Sequence, residues 1–220
     1  MRRLTKTEIP LILKSNQAAW RQAFEDHVAA NGGTVGSGAP AHYRHADVRE
    51  ALRIEVAEKC AYCESCLLHV TYDHIEHILP RKHRPDLVVT WSNLTLACPK
   101  CNQSKSDYYV PSAPLVHPYE DDPEAEIEFE GPMARTDGHG PGYRTISVCD
   151  LNRGALVIRR LGALTQVEQL LRQAASLGDP IARGLVVDEA RRLAADDAEY
   201  ASVVRRYLER RGVTTAASSC

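Results

Sequence analysis

Two C-x-x-C knuckles, Cys60-Ala-Tyr-Cys63 and Cys98-Pro-Lys-Cys101, carry the strongest chemical signal in the chain. Each can turn two thiolates toward one point at the roughly 2.3 Å that tetrahedral zinc requires, and two pairs fill all four positions. An ion held that way is structural, because no coordination position is left for a substrate. Five of the seven cysteines fall between positions 60 and 101. Such clustering without an export signal points to metal or catalysis and away from disulfides. Free buried thiols or a redox dithiol are the competing reading of one C-x-x-C; two pairs flanking a histidine-rich insert weigh against it. Cys66 leaves a Cys63/Cys66 pairing open, although Cys60/Cys63 is preferred because Ala61-Tyr62 would follow tightly on a helix end. Cys149 and Cys220 stand alone and read as a packing residue and part of a tail. The 34 residues between Cys63 and Cys98 exceed ordinary zinc-ribbon spacing, so something is inserted between the knuckles. Zinc bound there would supply on the order of 10–16 kcal/mol of apparent binding energy to a segment with few apolar residues.

The insert reads Tyr72-Asp73-His74-Ile75-Glu76-His77-Ile78-Leu79-Pro80-Arg81-Lys82, then Trp91-Ser92-Asn93-Leu94, then Asn102-Gln103-Ser104-Lys105 after the second knuckle. These residue types are what phosphodiester hydrolysis needs. A neutral imidazole can take a proton from water near neutral pH. A carboxylate beside it and an amide oxygen elsewhere can hold a hard divalent cation, Mg²⁺ or Mn²⁺, that polarises the phosphate and stabilises the leaving oxygen. Arg81, Lys82 and Lys105 could clamp phosphate oxygens.

The frame that must position these groups is 220 residues long, enough for one compact domain or one with an appended subdomain. At 44% apolar and 25% charged residues, wholesale disorder and collagen-like structure are excluded. No apolar run approaches the roughly 18 residues of a bilayer span. The patch from Ile9 to Leu13 is too short for a signal peptide and contains Pro10. A cytoplasmic location without membrane contact is therefore expected.

Pro10 should open a helix through Leu13, Trp20, Phe24 and Val28, ended by Asn31-Gly32-Gly33. A second helix is expected from Asp47 as N-cap, burying Val48, Leu52 and Val56 and running into Cys60. Ile127 and Phe129 alternate with glutamates as a short strand closed by Gly131, and Thr145 to Val148 reads as a second β-like piece. Beyond Asp150 the pattern is helical. Leu156, Leu164, Val167, Leu170 and Leu171 share a face, Gly178-Asp179-Pro180 breaks it, and Val186, Leu193, Val203, Val204 and Leu208 suggest further helices. Asp150 or Asn152 should cap the first of these. The expected divisions are an N-terminal helical segment (1–58), a core (59–111), an acidic connector with short strands (112–150) and a C-terminal helical region and tail (151–220). The fold class is α+β, mostly helical.

In order along the chain, a C-x-x-C, an acidic residue with His-x-x-Pro, an Asn-Leu and a C-x-x-C-Asn-x-x-Lys resemble an HNH nuclease with its ββα-metal core. The wider set is more particular: Lys59-Cys-Ala-Tyr-Cys-Glu64, Ile75-Glu-His77, Trp91-x-Asn-Leu94, Leu115-Val-His-Pro118, Asp122-Pro-Glu124 and Asp150-Leu-Asn-Arg153. Together they resemble the PtuB-like HNH subunits of Septu and retron-linked anti-phage systems, over about residues 55–160. The resemblance implies that His77 is the general base, Glu76 the acidic metal ligand and Asn102 the second metal ligand. It implies that Asn93 pins the loop that aims the imidazole, and that Cys60, Cys63, Cys98 and Cys101 hold structural zinc. An Asp73-His74 register is rejected because Pro80 falls three residues after His77, whereas His77 itself falls three after His74. By themselves, Asn102 reads as a helix N-cap and Asn93 as a turn residue.

Net charge is 27 − 29 = −2, which argues against a protein that holds nucleic acid by bulk charge. Between Cys60 and Pro111 five basic residues balance five acidic ones, a weak footprint for phosphate. The chain is expected to cut poorly alone and to rely on another subunit; the resemblance points to an ABC/SMC-like ATPase of PtuA type, and to a retron reverse transcriptase with its RNA. DNA is the favoured substrate and RNA, tRNA included, stays open. The alternative is a non-catalytic zinc-binding docking module.

Overall fold

The computed structural model describes residues 1–67 and 73–215; Tyr72 and Cys220 lie outside them. It is a mixed α+β chain, dominated by helices, with two small sheets. α1 (Leu11–Ala30) buries Leu13 and Phe24 and half-buries Trp20 and Val28, following the predicted spacing. Pro10 stands at its N-cap rather than in its first turn. α2 (Ala46–Glu55) buries Val48 and Leu52 but starts two residues earlier than expected. Its cap is His45, whose Nδ1 accepts from the Asp47 N–H at 3.2 Å. Nor does α2 reach Cys60: Ala57 and Glu58 take positive φ and break it, and a single bridge between Lys59 and Cys66 then closes the first knuckle.

β1 (His74–His77) and β2 (Leu94–Ala97) pair antiparallel, His77 opposite Leu94 and His74 opposite Ala97. α3 (Pro99–Lys105) packs on β1, completing a strand–strand–helix unit. β2 is buried along its whole length against α2, which makes it the floor of the main core. The loop joining the strands carries two 3₁₀ turns, Pro85–Leu87 and Trp91–Asn93, the first of them under α1.

The acidic connector contains α4 (Pro123–Glu126), capped by Asp122. β3 (Glu128–Glu130) and β4 (Met133–Arg135) follow as a hairpin turned at Gly131, where φ is +56°. Phe129 faces inward between its glutamates, as alternation predicted. Thr145–Val148 is not a strand. It belongs to α5 (Pro141–Val148), because Pro141 presets the first helical turn. The Thr145 hydroxyl donates back to Pro141 O and accepts the Val116 N–H, both at 2.8 Å. Local β preference loses to that tertiary context.

α6 (Gly154–Ser176) and α7 (Pro180–Arg192) pack along each other, with Asp179 capping α7. α8 (Ala201–Arg210) joins them around a satellite core of Val167, Ala190, Ala194, Val204 and Leu208. Neither Asp150 nor Asn152 caps α6. Asn152 instead accepts from Ala134 N at 2.8 Å and donates to Ala134 O at 2.9 Å, tying β4 to the helical region. No described helix is long and apolar enough to cross a membrane.

Candidate active site and four-cysteine centre

The first knuckle is fixed to β2 by the Ala61 N–H, which donates to Leu96 O at 3.0 Å. The second knuckle opens α3, with Cys98 as its N-cap. These two anchors bring the sulfurs of Cys60, Cys63, Cys98 and Cys101 within 4.8 Å of one another, all buried. Cys63 and Cys98 Sγ are 3.8 Å apart, and a tetrahedron with ~2.3 Å metal–sulfur bonds has an edge of about 3.8 Å. The quartet therefore fits zinc. Hydrogen bonding from Cys101 holds Cys63 and Cys98 below the usual thiol range. Cys66 is outside the quartet, and its backbone N–H donates to Glu199 Oε1 at 2.9 Å.

Arg153, one residue before α6, reaches this centre. Its Nη1 is 3.5 Å from Cys101 Sγ and its Nη2 is 3.9 Å from Cys98 Sγ. Sequence spacing offers no sign of this contact, since 52 residues separate Arg153 from Cys101.

Beside the cysteines an open cleft of about 940 Å³ is lined by His74, Glu76, His77 and Asn102, with Tyr43, Arg44 and Arg81 on its wall. His77, at the end of β1, is only 6% exposed. Its Nε2 donates to Val88 O at 2.8 Å, which leaves Nδ1 as the lone-pair nitrogen. The Tyr43 ring packs edge-on against it at 4.6 Å. Burial lowers the imidazole pKa to about 4, with Arg81, Lys105 and Arg44 adding to the effect, so the ring is neutral at pH 7.

Glu76 points the other way, toward α3. Lys105 Nζ forms an ion pair with its Oε1 at 2.6 Å; this buried oxygen makes no aligned hydrogen bond, and of its two lone pairs one stays available. Burial raises the carboxyl above its ordinary range, opposed by Lys105. A buried carboxylate oxygen with a lone pair to spare is a donor that a divalent cation can use.

Asn102 sits inside α3, not at its cap, and its Nδ2 is 2.9 Å from His74 Nδ1. Asn93 accepts from Leu79 N at 2.8 Å and donates to Leu79 O and Leu87 O at 3.0 and 3.2 Å. One side chain thus ties both ends of the loop whose Val88 carbonyl holds His77. Asp73 is buried against Arg49 and Arg53 and has no free face toward the cleft.

The basic residues divide. Arg81 lines the cleft, its guanidinium 5.9 Å from the Phe24 ring and 5.7 Å from that of Tyr43. Lys82 pairs with Asp107 at the rim. Lys105, expected as a phosphate contact, is instead 2% exposed and held by Glu76 and by His77 O at 3.0 Å. Its ammonium serves a buried carboxylate, so no surface clamp is formed there. His74 was not expected at the site; its signal in the sequence is its position two residues before Glu76 on one strand, hence on the same face.

Residues 60–108 match the HNH endonuclease family. The chain is also similar to two proteins named Septu protein PtuB. One, from Bacillus mycoides (strain KBAB4), is 29% identical over 57% of this chain and 54% of that protein. The other, from Bacillus thuringiensis, is 38% identical over 32% of this chain and 28% of that protein. The chain thus spans about half the length of the first relative and little more than a quarter of the second.

Proposed function

We propose that this HNH, PtuB-like chain is a metal-dependent endonuclease that serves as the cutting subunit of an anti-phage complex. The observation that carries this reading is a buried neutral imidazole, fixed by Val88 O, next in sequence to a buried carboxylate whose Oε1 is ion-paired with Lys105 yet makes no aligned hydrogen bond. In this reading His77 Nδ1 takes a proton from water as that water attacks phosphorus. The new P–O bond forms as the bond to the 3′-oxygen breaks, leaving a 5′-phosphate and a 3′-hydroxyl. Val88 fixes which nitrogen is basic, and Asn93 holds the loop that carries Val88. Glu76 and Asn102 would hold Mg²⁺ or Mn²⁺, whose chemistry is to polarise the phosphate and stabilise the departing oxygen. Arg81 places positive charge on the cleft wall. The cysteine quartet would hold structural zinc beneath α3.

The proposed partner is an ABC/SMC-like ATPase of PtuA type. Support comes from the name of the relatives and from the charge balance of the core, too even for strong phosphate binding alone. Neither relative's name mentions a retron, and the proposal is confined to a Septu-type partner. DNA is the proposed substrate.

A second reading, a non-catalytic zinc-binding docking module, has one observation in its favour: Glu76 already has Lys105 as counter-ion. Cleavage of plasmid DNA and of bulk tRNA by the chain co-purified with the product of its neighbouring gene, in Mg²⁺, separates the two. An enzyme loses turnover on His77→Ala while keeping zinc and fold. Equal behaviour of wild type and variant would favour the docking module, and tRNA cleavage without DNA cleavage would replace the substrate.

A further inference from the structure

We infer that His74 is a third ligand of the divalent cation held by Glu76 and Asn102, and that its nitrogen gives the site a preference for Mn²⁺ over Mg²⁺. The inference rests on the metal-dependent reading above and deepens it.

β1 presents His74 and Glu76, two residues apart, to the same helix. His74 meets Asn102, and Glu76 meets Lys105 one helical turn further along α3. His74 is exposed at the cleft mouth, while Glu76 is buried within it. The end of the Asn102 amide and His74 Nδ1 are 2.9 Å apart. That separation matches the edge of an octahedron with bonds of about 2.1 Å, roughly 3 Å between neighbouring ligands. A half-turn of the amide exchanges its nitrogen for its oxygen, which puts an oxygen and an imidazole nitrogen side by side toward one ion. Asp73, the other candidate beside His74, is engaged by Arg49 and Arg53.

Donor type then sets selectivity. Mg²⁺ takes oxygen ligands and keeps its waters, whereas an imidazole nitrogen suits the first-row transition ions. Two oxygens and one nitrogen make a mixed site that Mn²⁺ tolerates better than Mg²⁺.

The test is Mn²⁺ and Mg²⁺ titration of the full, zinc-loaded chain by calorimetry, with pulsed EPR of bound Mn²⁺. Wild type should bind one Mn²⁺ with nitrogen coupling in the EPR signal. His74→Ala should lose that coupling and weaken Mn²⁺ on the order of tenfold or more, while Mg²⁺ affinity changes less. Mn²⁺ that binds in wild type, weakens in Asn102→Ala, and is unchanged in His74→Ala overturns the role of His74 and leaves the metal site standing. Nitrogen coupling that persists in His74→Ala assigns the nitrogen elsewhere and also overturns it. No Mn²⁺ bound by wild type overturns the metal site itself. His74 is exposed, so its replacement leaves the core intact, and zinc content verifies the fold of each variant.

Discussion

Arg153 stands 3.5 Å from Cys101 Sγ and so joins the start of the C-terminal helical region to the four-cysteine centre. Four thiolates around Zn²⁺ would carry two net negative charges, and this guanidinium would stand as a cation against them. The contact also draws α6 toward α3, two elements far apart in sequence.

Arg153→Met should therefore lower zinc affinity on the order of 10- to 100-fold, the range typical of groups that contact metal ligands. Competition with a chromogenic chelator measures it. An unchanged affinity would mean that the guanidinium merely packs there. Complete zinc removal should go further and lower the stability of the core around the knuckles, because four buried thiolates would lose the cation that holds them together.

Lys105 and Glu76 form a second relationship that a single substitution should expose. Lys105→Met leaves a buried carboxylate without its counter-ion and should cost about 3–5 kcal/mol in urea unfolding. Adding Glu76→Gln should restore much of that loss, because the stranded charge is gone. Additive costs in the double variant would rule out direct coupling.

These two cases mark how far the sequence could be read. The cysteine quartet was legible because two C-x-x-C spacings and the family resemblance both pointed to it, although spacing left Cys66 as a rival that only the fold removes. Phe129 and the α1 face were legible because periodicity of two or of 3.6 shows in one dimension. The Thr145–Val148 segment was misread since its residues favour strands locally, and only the proline ahead of it and the buried Thr145 hydroxyl turn it helical. Arg153 and the Arg49–Asp73–Arg53 cluster were invisible for another reason: they depend on which surfaces pack, not on spacing. The cap of α2 was misplaced by two residues because His45 outcompetes Asp47, a choice made by one side-chain nitrogen.

Gly142 allows a close approach that no other residue would. A Cβ there would sit 2.1 Å from Glu126 O, a backbone atom that cannot swing away. Gly142→Ala should push α5 from α4 and cost about 1–3 kcal/mol. A wild-type midpoint in thermal unfolding would contradict the packing described.

Lys6 gives the fold a pH dependence whose sign is fixed. Its ammonium donates to Glu55 Oε2 at 2.9 Å and Leu94 O at 2.6 Å, and lies over the rings of Trp91 and Tyr119. Burial lowers its pKa from 10.5 to about 8, with Glu55 opposing. His117 and Tyr119 are the other titrating groups nearby. Between those two values the unfolded chain keeps a proton that the folded chain has released, so stability contributed by this site rises with pH across that window. Tyr119, held above its ordinary range by burial, reverses the trend above about pH 10, where an unfolded tyrosine ionises. Subtracting the profile of Lys6→Met cancels the groups remote from Lys6 and leaves its own titration, with a smaller part from His117, whose pKa Lys6 helps to lower. From roughly pH 7 to 9.5 the wild type should gain about 2 kcal/mol on the variant. A flat difference would mean that Lys6 stays charged throughout and that Glu55, which also accepts from Thr7 N at 2.8 Å and from the Tyr119 hydroxyl at 3.1 Å, holds its cation more strongly than burial repels it.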